Sequence, residues 1–254
     1  MAPQLSPKGA WGVLGAQVGG PHVTEPSVIA PDVEHGPLRL FERAAGIAGL
    51  LFALLMAVGM LLFNTLPAAG EASALDDWFF DEAAFRVRLA GFYVIPLAGV
   101  AFIWFMAAMR ERSGIRSDRF FDTIFLVSGA VFVAMLFGGI ASTASLLESS
   151  LLGDAFAPTE ETVRSGRLLG FAFFNIFAAR AAGVFTMVTS GMLLRSKLFP
   201  RWVGLLGMGI ALVLLLGTGF FRWFIYLFPA WVAFTSVVFL VVLSKPSSEA
   251  EADA

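Results

Sequence analysis

The chain has 254 residues, of which 58% are hydrophobic and 14% are charged, and its formal net charge is −2. Soluble domains carry about 25% charged residues, and a soluble core in a chain of this size cannot bury so much apolar surface. The composition therefore predicts an integral membrane protein, and the near-neutral charge excludes the basic surface by which proteins bind nucleic acid.

The N-terminal residues 1–40 contain half of the twelve prolines and no helical apolar period. We predict a flexible cytoplasmic tail here, because such a composition does not support a packed core. The short apolar patch from Trp11 to Val18 is broken by glycines and does not resemble a cleaved signal peptide. The first membrane helix is therefore expected to serve as the insertion signal.

Six apolar stretches follow the tail and predict an all-α bundle of six transmembrane helices within residues 41–244. A membrane-spanning helix needs roughly 20 predominantly apolar residues. The stretches lie near residues 44–66, 87–109, 121–147, 168–194, 202–216 and 223–243. Pro96 interrupts the second stretch and is expected to kink its helix, because proline lacks a backbone donor. Residues 245–254 form a predicted short cytoplasmic C-terminal tail.

The charges of the connecting loops predict the orientation, because cytoplasmic loops carry an excess of Lys and Arg. Two connections are basic, and in a six-helix topology they lie on the same side of the membrane. Their cations are Arg110, Arg112, Arg116 and Arg119 in the second connection, and Arg195, Lys197 and Arg201 in the fourth. Both termini are therefore predicted to be cytoplasmic, in a multi-pass protein of the cytoplasmic (plasma) membrane.

Rows of small residues four apart let membrane helices approach closely, and they predict which helices pack together. The first, third and fourth stretches each contain such a row. The rows are Ala45, Gly49, Ala53 and Ala57; Ala130, Ala134, Gly138 and Ser142; and Ala178, Ala182, Thr186 and Ser190. These three helices are expected at the centre of the bundle. The alternative is that such rows arise by chance in a chain rich in Ala and Gly.

Arg180 is the one charged residue expected deep in the membrane, since it lies near the middle of the fourth stretch. A cation there costs roughly 2.5–3.5 kcal/mol on insertion scales. One hypothesis is an anion site inside the bundle, because Arg suits carboxylate and phosphate recognition. The other is a structural tie to backbone carbonyls or to an acid on a neighbouring helix. Glu148 is the nearest acid by topology, but Arg180 lies about 18 Å along the helix from that end.

Three further polar residues are candidate ligand-binding residues beside Arg180, namely Asn175, Ser142 and Thr186. Asn175 lies about 140° around an ideal helix from Arg180, so the two need not share one site. Hydroxyls in membrane helices also bond to their own helix or to a neighbour, which is the structural alternative for Ser142 and Thr186.

We predict no catalytic residue, no metal site and no cofactor. Cysteine is absent, and both histidines, His22 and His35, lie in the N-terminal tail. Thiolate ligation, intramembrane haem and a Ser–His–Asp set are therefore excluded. The acidic loop after the first helix contains Asp76, Asp77, Asp81 and Glu82. These carboxylates either bind a cation, cover a cavity mouth or act on lipid, or they form a solvated surface.

Three segments resemble a group of uncharacterised, actinobacterial-type multi-pass membrane proteins. They are FYVIPLAGVAFIWFMAAMRERSG, VSGAVFVAMLFGGIA and GMLLRSKLFPRWVGLLGMGIAL, and the resemblance covers residues 40–245. The stretch LRSKLFPRWVG is its most distinctive part. The resemblance implies the cytoplasmic membrane as the location and supplies no catalytic residues.

The sequence favours a non-enzymatic accessory membrane protein that binds membrane lipids or a protein partner within a larger membrane complex. The alternative is a small transporter or channel-like protein with an anionic-solute site at Arg180. A water-filled cavity that reaches Arg180 would favour the alternative, whereas dry packing would count against it.

Overall fold

A computed structural model of the chain describes residues 36–63, 82–112, 119–149, 159–195, 200–217 and 224–243. The regular structure of these residues is helical, which confirms the predicted all-α class. The predicted C-terminal tail and residues 1–35 of the predicted N-terminal tail lie outside the described residues, as does most of the acidic loop after the first helix.

Six helical segments in the described residues follow the six predicted apolar stretches in order. Helix α1 is Gly36–Phe63, and helix α3 is Arg119–Ser149. Helix α2 covers residues 82–112 and has three parts: Glu82–Leu89, a π-helical turn Ala90–Val94, and Ile95–Arg112. Helix α4 covers residues 160–195 and also has three parts: Glu160–Phe171, a π-helical segment Ala172–Ala178, and Ala179–Arg195. Helix α5 is Arg201–Leu216. Helix α6 covers residues 224–243 and consists of a short 3₁₀ turn, Phe224–Tyr226, followed by Leu227–Leu243. The first helix begins before its apolar run, at Gly36 rather than near residue 44.

Three of the described helices are long and apolar enough to cross a membrane. The segments are Phe85–Glu111, Arg119–Ala144 and Glu161–Arg195. Helices α1, α5 and α6 contribute shorter apolar segments, Gly46–Leu62, Arg201–Leu216 and Leu227–Val241. The predicted membrane location is therefore supported by length and composition, which are the properties that the hydrocarbon core demands of a spanning helix.

A cluster of phenylalanine rings, here called the phenylalanine cluster, lies at the centre of the bundle. Phe102 of α2 is fully buried, and its ring centroid lies 4.9 Å from that of Phe52 in α1 and 5.1 Å from that of Phe185 in α4. The cluster joins five of the six helices. Its members are Phe52, Phe102, Phe105, Phe125, Phe132, Phe185 and Phe228. Rings in tilted and edge-to-face contact add to the stability that packing alone supplies.

The prediction that α1, α3 and α4 form the centre is only partly right. Helix α4 packs against α3 and most extensively against α5, whereas α1 packs mainly against α2 and α6. Gly49 of α1 lies where an added β-carbon would overlap Ser236 of α6 and the Phe105 ring of α2. The row on α3 is divided, because Ala130 and Ala134 are exposed whereas Gly138 packs against Phe173 of α4.

Helix α2 accommodates Pro96 with a π-helical turn that directly precedes it. The Ile95 amide donates to Ala90 O, five residues earlier, so the helix is wider there than an α-helix. A proline ring clashes with the carbonyl of the preceding α-helical turn, and a wider turn relieves that clash. A local change of helix type therefore lies beside Pro96, at the position where we predicted a kink.

Two contacts join the ends of α2, α3 and α4 at one end of the bundle. Arg110 donates from Nε to Asp122 Oδ1 at 2.6 Å and from Nη2 to Oδ2 at 2.7 Å, which closes the connection between α2 and α3. Arg195 at the end of α4 lies over the Phe121 ring, 4.2 Å from its centroid. The end of α2, the start of α3 and the end of α4 therefore lie at the same end of the bundle.

Candidate functional site

The candidate site is built around the π-helical segment Ala172–Ala178, which interrupts α4 midway. A π-helical turn spaces its backbone hydrogen bonds by five residues instead of the four of an α-helix, which widens the helix. Where this segment ends, the Ala179 amide donates to Ile176 O. Two side chains supply further donors: Asn175 lies within the segment, and Arg180 lies two residues beyond it.

Asn175 and Arg180 both donate to carbonyls of this segment or its flank. Asn175 Nδ2 donates to Phe171 O at 3.2 Å, and Arg180 Nη1 donates to Ile176 O at 3.0 Å. Each bond reaches back four residues along the helix. These contacts support the structural hypothesis in one of its two forms, the tie to backbone carbonyls. They make Asn175 and Arg180 parts of one local arrangement even though their side chains are not in contact.

The π-helical segment also determines how α4 packs against α3. The consecutive residues Phe173 and Phe174 both contact α3, at the consecutive glycines Gly138 and Gly139. An added β-carbon at Gly139 would lie 2.9 Å from Phe174 Cε2, and one at Gly138 would lie 3.0 Å from Phe173 Cε1. The glycine pair therefore makes room for two adjacent rings, a contact that neighbouring side chains of a regular α-helix seldom share.

Arg180 faces outward, away from the bundle. Its side chain is exposed, and Phe177 and Met187, which lie on the same side of α4, are 53% and 40% exposed. In the part of the chain that the structure describes, Ile176 O is the hydrogen-bond acceptor of its guanidinium. A guanidinium carries five N–H donors, so most of them are directed at the exterior of this chain. We call the surface formed by Phe177, Arg180 and Met187 the Arg180 face.

An apolar cavity lies on the opposite side of the same helix. The cavity is no larger than about one water molecule, and α4 contributes Phe174, Ala178, Ala179 and Ala182 to its lining. Neither Arg180 nor Asn175 lines it. The remaining lining residues come from α1, α3, α5 and α6 and are all apolar. This cavity therefore offers no polar path to Arg180.

Ser142 and Thr186, the other two candidate residues, lie far from each other. Ser142 is near the end of α3 that packs against Gly170, whereas Thr186 lies sixteen residues beyond Gly170 on α4. At 1.5 Å per residue that separation is about 24 Å. Ser142 Oγ donates to Gly139 O at 2.9 Å, within its own helix. The structure thus keeps Ser142 and Thr186 apart from each other, so these two residues do not belong to one site.

Thr186 and Ser190 are a second polar feature of α4, and Ser190 lies in the contact with α5. Both residues are fully buried, and neither hydroxyl oxygen has a hydrogen-bond partner in the described part of the chain. An added β-carbon at Gly207 of α5 would overlap Ser190 Oγ and the Trp231 ring. The Ser190 hydroxyl occupies a close helix contact, in which a small side chain matters more than a polar one.

Groups that bind metals are absent from the described helices, where no set of three or more His, Asp or Glu side chains is close enough to hold an ion. Four acids were considered for a cation or lipid-processing site. Asp76, Asp77 and Asp81 lie outside the described residues, and Glu82 is the first residue of α2.

Sequence reasoning identified Arg180 and Asn175 but missed the π-helical segment that connects them. The available signal was an amide and a guanidinium within an otherwise apolar run, since both groups can donate to backbone carbonyls of their own helix. The glycine pair on α3 was a second signal, because it allows two adjacent aromatic rings to pack at one position.

Replacing Asn175 by Leu should lower the free energy of unfolding by roughly 0.6–2 kcal/mol, because Phe171 O then loses its side-chain donor. The measurement is reversible unfolding in mixed detergent–lipid micelles. Met187→Leu, at an exposed position of the same helix, is the matched control and should leave stability unchanged. An Asn175→Leu variant as stable as the original chain would contradict the role of Asn175 in capping the π-helical segment.

A scan of the chain against protein-family models matched no family, and searches of the curated proteins and of the solved structures found no match.

Proposed function

We propose that this chain is a multi-pass protein of the cytoplasmic membrane, with six spans and both termini cytoplasmic. Three described helices have the length and composition of membrane spans, and the other three pack against them through the phenylalanine cluster or neighbouring contacts. Each of the six helices also exposes large apolar side chains, which lipid would cover. Examples, one for each helix in order, are Leu54, Trp104, Val127, Phe177, Leu212 and Val241.

The proposed activity is binding rather than catalysis: an accessory protein that associates laterally with a partner in the membrane. The observation that carries this proposal is the exposure of Arg180 on an otherwise apolar surface. Intramembrane charges almost always face a bundle interior or a wet cavity, because lipid does not solvate them. A charge that faces outward from one chain would gain such an interior if a second protein covered it.

Transport of an anionic solute through Arg180 is the weaker proposal. It needs a polar pathway to the guanidinium, whereas the cavity beside this part of α4 is apolar and has Arg180 outside its lining. The resemblance to actinobacterial-type membrane proteins is compatible with either activity and adds no residue role.

Native mass spectrometry of the full chain, extracted from its own membrane with the surrounding lipid, tests the accessory proposal. We expect a protein partner to co-purify with the original chain in a fixed stoichiometry, and we expect the Arg180→Leu variant to lack that partner. Arg164→Leu is the matched control, since Arg164 is exposed near the start of the same helix and outside its apolar stretch. If the original chain, Arg180→Leu and Arg164→Leu all carry only bulk lipid, the accessory proposal is refuted.

A further inference from the structure

The Arg180 face has the charge and the depth to bind a carboxylate within the membrane. We infer that its occupant is a transmembrane helix of another protein with an aspartate or glutamate near mid-membrane, which pairs with Arg180. This inference rests on the proposed accessory function and specifies the chemistry of the partner.

The depth of Arg180 argues against lipid headgroups as the occupant. Its apolar stretch runs from Leu168 to Leu194, so Arg180 lies close to the midpoint. At 1.5 Å per residue, the ends of that stretch are about 18 and 21 Å away along the helix. The hydrocarbon core is about 30 Å thick, so each headgroup layer is roughly 15 Å from its centre. The side chain, moreover, is directed to Ile176 O, in its own helix, at 3.0 Å.

Within the described helices, a second copy of this chain does not offer the required acid at that depth. Every aspartate and glutamate in the described helices lies near a helix end and outside the middle of the apolar stretches. These residues are Glu42, Glu82, Glu111, Asp122, Glu148, Glu160 and Glu161. A symmetric pair of copies would instead bring two Arg180 side chains toward one another, and like charges in a low-dielectric medium repel.

A carboxylate is the partner that a guanidinium in lipid requires. One N–H of Arg180 is bonded to Ile176 O, and the geometry of the remaining donors suits a bidentate bond to a carboxylate. A neutral carbonyl or hydroxyl would satisfy a donor but would leave the charge uncompensated. Phe177 and Met187 beside Arg180 would then pack against the apolar turns of the partner helix on either side of its acid.

The test uses synthetic 23-residue Leu/Ala transmembrane peptides with a central Glu, Gln or Leu, and measures energy transfer from the labelled full chain in phosphatidylcholine vesicles. We expect the central-Glu peptide to bind at least tenfold more tightly than the Gln and Leu peptides. Moving the Glu seven residues toward a peptide end should remove this preference, because about 10 Å of depth separates the charges. Arg180→Lys should retain part of it, and Arg180→Leu should lose it. Arg164→Leu should bind as the original chain does.

Three results would overturn the inference. The first is equal binding of the Glu and Leu peptides by the original chain. The second is displacement of the Glu peptide by phosphatidylglycerol in an Arg180-dependent manner, which would identify lipid as the occupant. The third is Arg180-dependent energy transfer between two labelled copies without peptide, which would identify a second copy. If the Glu peptide shows no preference but native mass spectrometry still finds a protein partner, the accessory function stands and the partner does not carry the proposed carboxylate. If native mass spectrometry finds no partner, the accessory function itself is wrong.

Discussion

Gly207→Ala should destabilise the bundle by about 1–3 kcal/mol, because it overpacks the contact between α4 and α5. A β-carbon at this position would overlap Ser190 Oγ and lie 2.5 Å from Cη2 of Trp231. Trp231 is only 2% exposed and packs with Leu193 and Val203, so its ring has no open space to move into. The measurement is the free energy of unfolding in mixed micelles.

Gly209 provides the matched control, two residues further along α5. An added β-carbon there meets nothing within 4 Å. Alanine is more favourable than glycine inside a helix by roughly 0.5–1 kcal/mol, so Gly209→Ala should leave stability unchanged or raise it. If the two substitutions had the same effect, the close approach of α4 and α5 at Gly207 would be incorrect.

A double substitution separates the two neighbours of Gly207. Ser190→Ala alone should be neutral or slightly stabilising, because the buried Ser190 hydroxyl has no partner in the described residues. Combined with Gly207→Ala, it should recover part of the lost stability, since one of the two overlaps disappears. The residual loss would then report the overlap with Trp231, and strict additivity of the two changes would contradict the contact.

Phe102→Ala should cost about 3 kcal/mol, the lower end of the range for buried phenylalanines in soluble cores. Phe102 is fully buried and its ring contacts five others, from Phe52 at 4.9 Å to Phe105 at 6.1 Å between centroids. We expect the lower end because separated membrane helices remain in lipid, so the loss comes from packing and cavity formation rather than from exposure to water.

The control for Phe102 is Phe85→Ala, in the same helix. Phe85 is 65% exposed, and a substitution there should change stability by about 0.5 kcal/mol at most. Phe102→Leu should fall between the two, because it restores part of the lost volume. Equal losses for Phe85→Ala and Phe102→Ala in unfolding titrations would show that the phenylalanine cluster is not the core of the bundle.

The positions of the helices were predictable from the sequence. A membrane imposes a minimum apolar length, and each predicted stretch overlaps one described helix, from α1 to α6. The start of α1 at Gly36 could not be predicted, because it precedes the apolar run. A helix can extend beyond the lipid, and that extension leaves no hydropathy signal. The π-helical segments were also missed, although Pro96 marks the position of the first.

Helix neighbours were harder to predict than helix positions. The rows of small residues on α1 and α4 do lie in close helix contacts, at Gly49 and at Ser190. The row on α3 instead exposes Ala130 and Ala134, and the buried glycine one residue earlier, Gly129, packs against Met106 of α2. Small residues therefore indicate that a close contact is possible, and only the three-dimensional arrangement decides which face of the helix makes it.

The helical class, the six apolar stretches and a single cation, Arg180, in the middle of one of them could be read from the chain alone. The folded chain was needed to show that Arg180 faces outward and that Asn175 lies in a π-helical segment ending two residues before it. This difference arises from the solvent. In water, polarity distinguishes the exposed face of a helix from the buried one, but in lipid both faces are apolar. Along α4, exposed Phe177 and buried Phe185 are the same residue type, and their surroundings alone distinguish them.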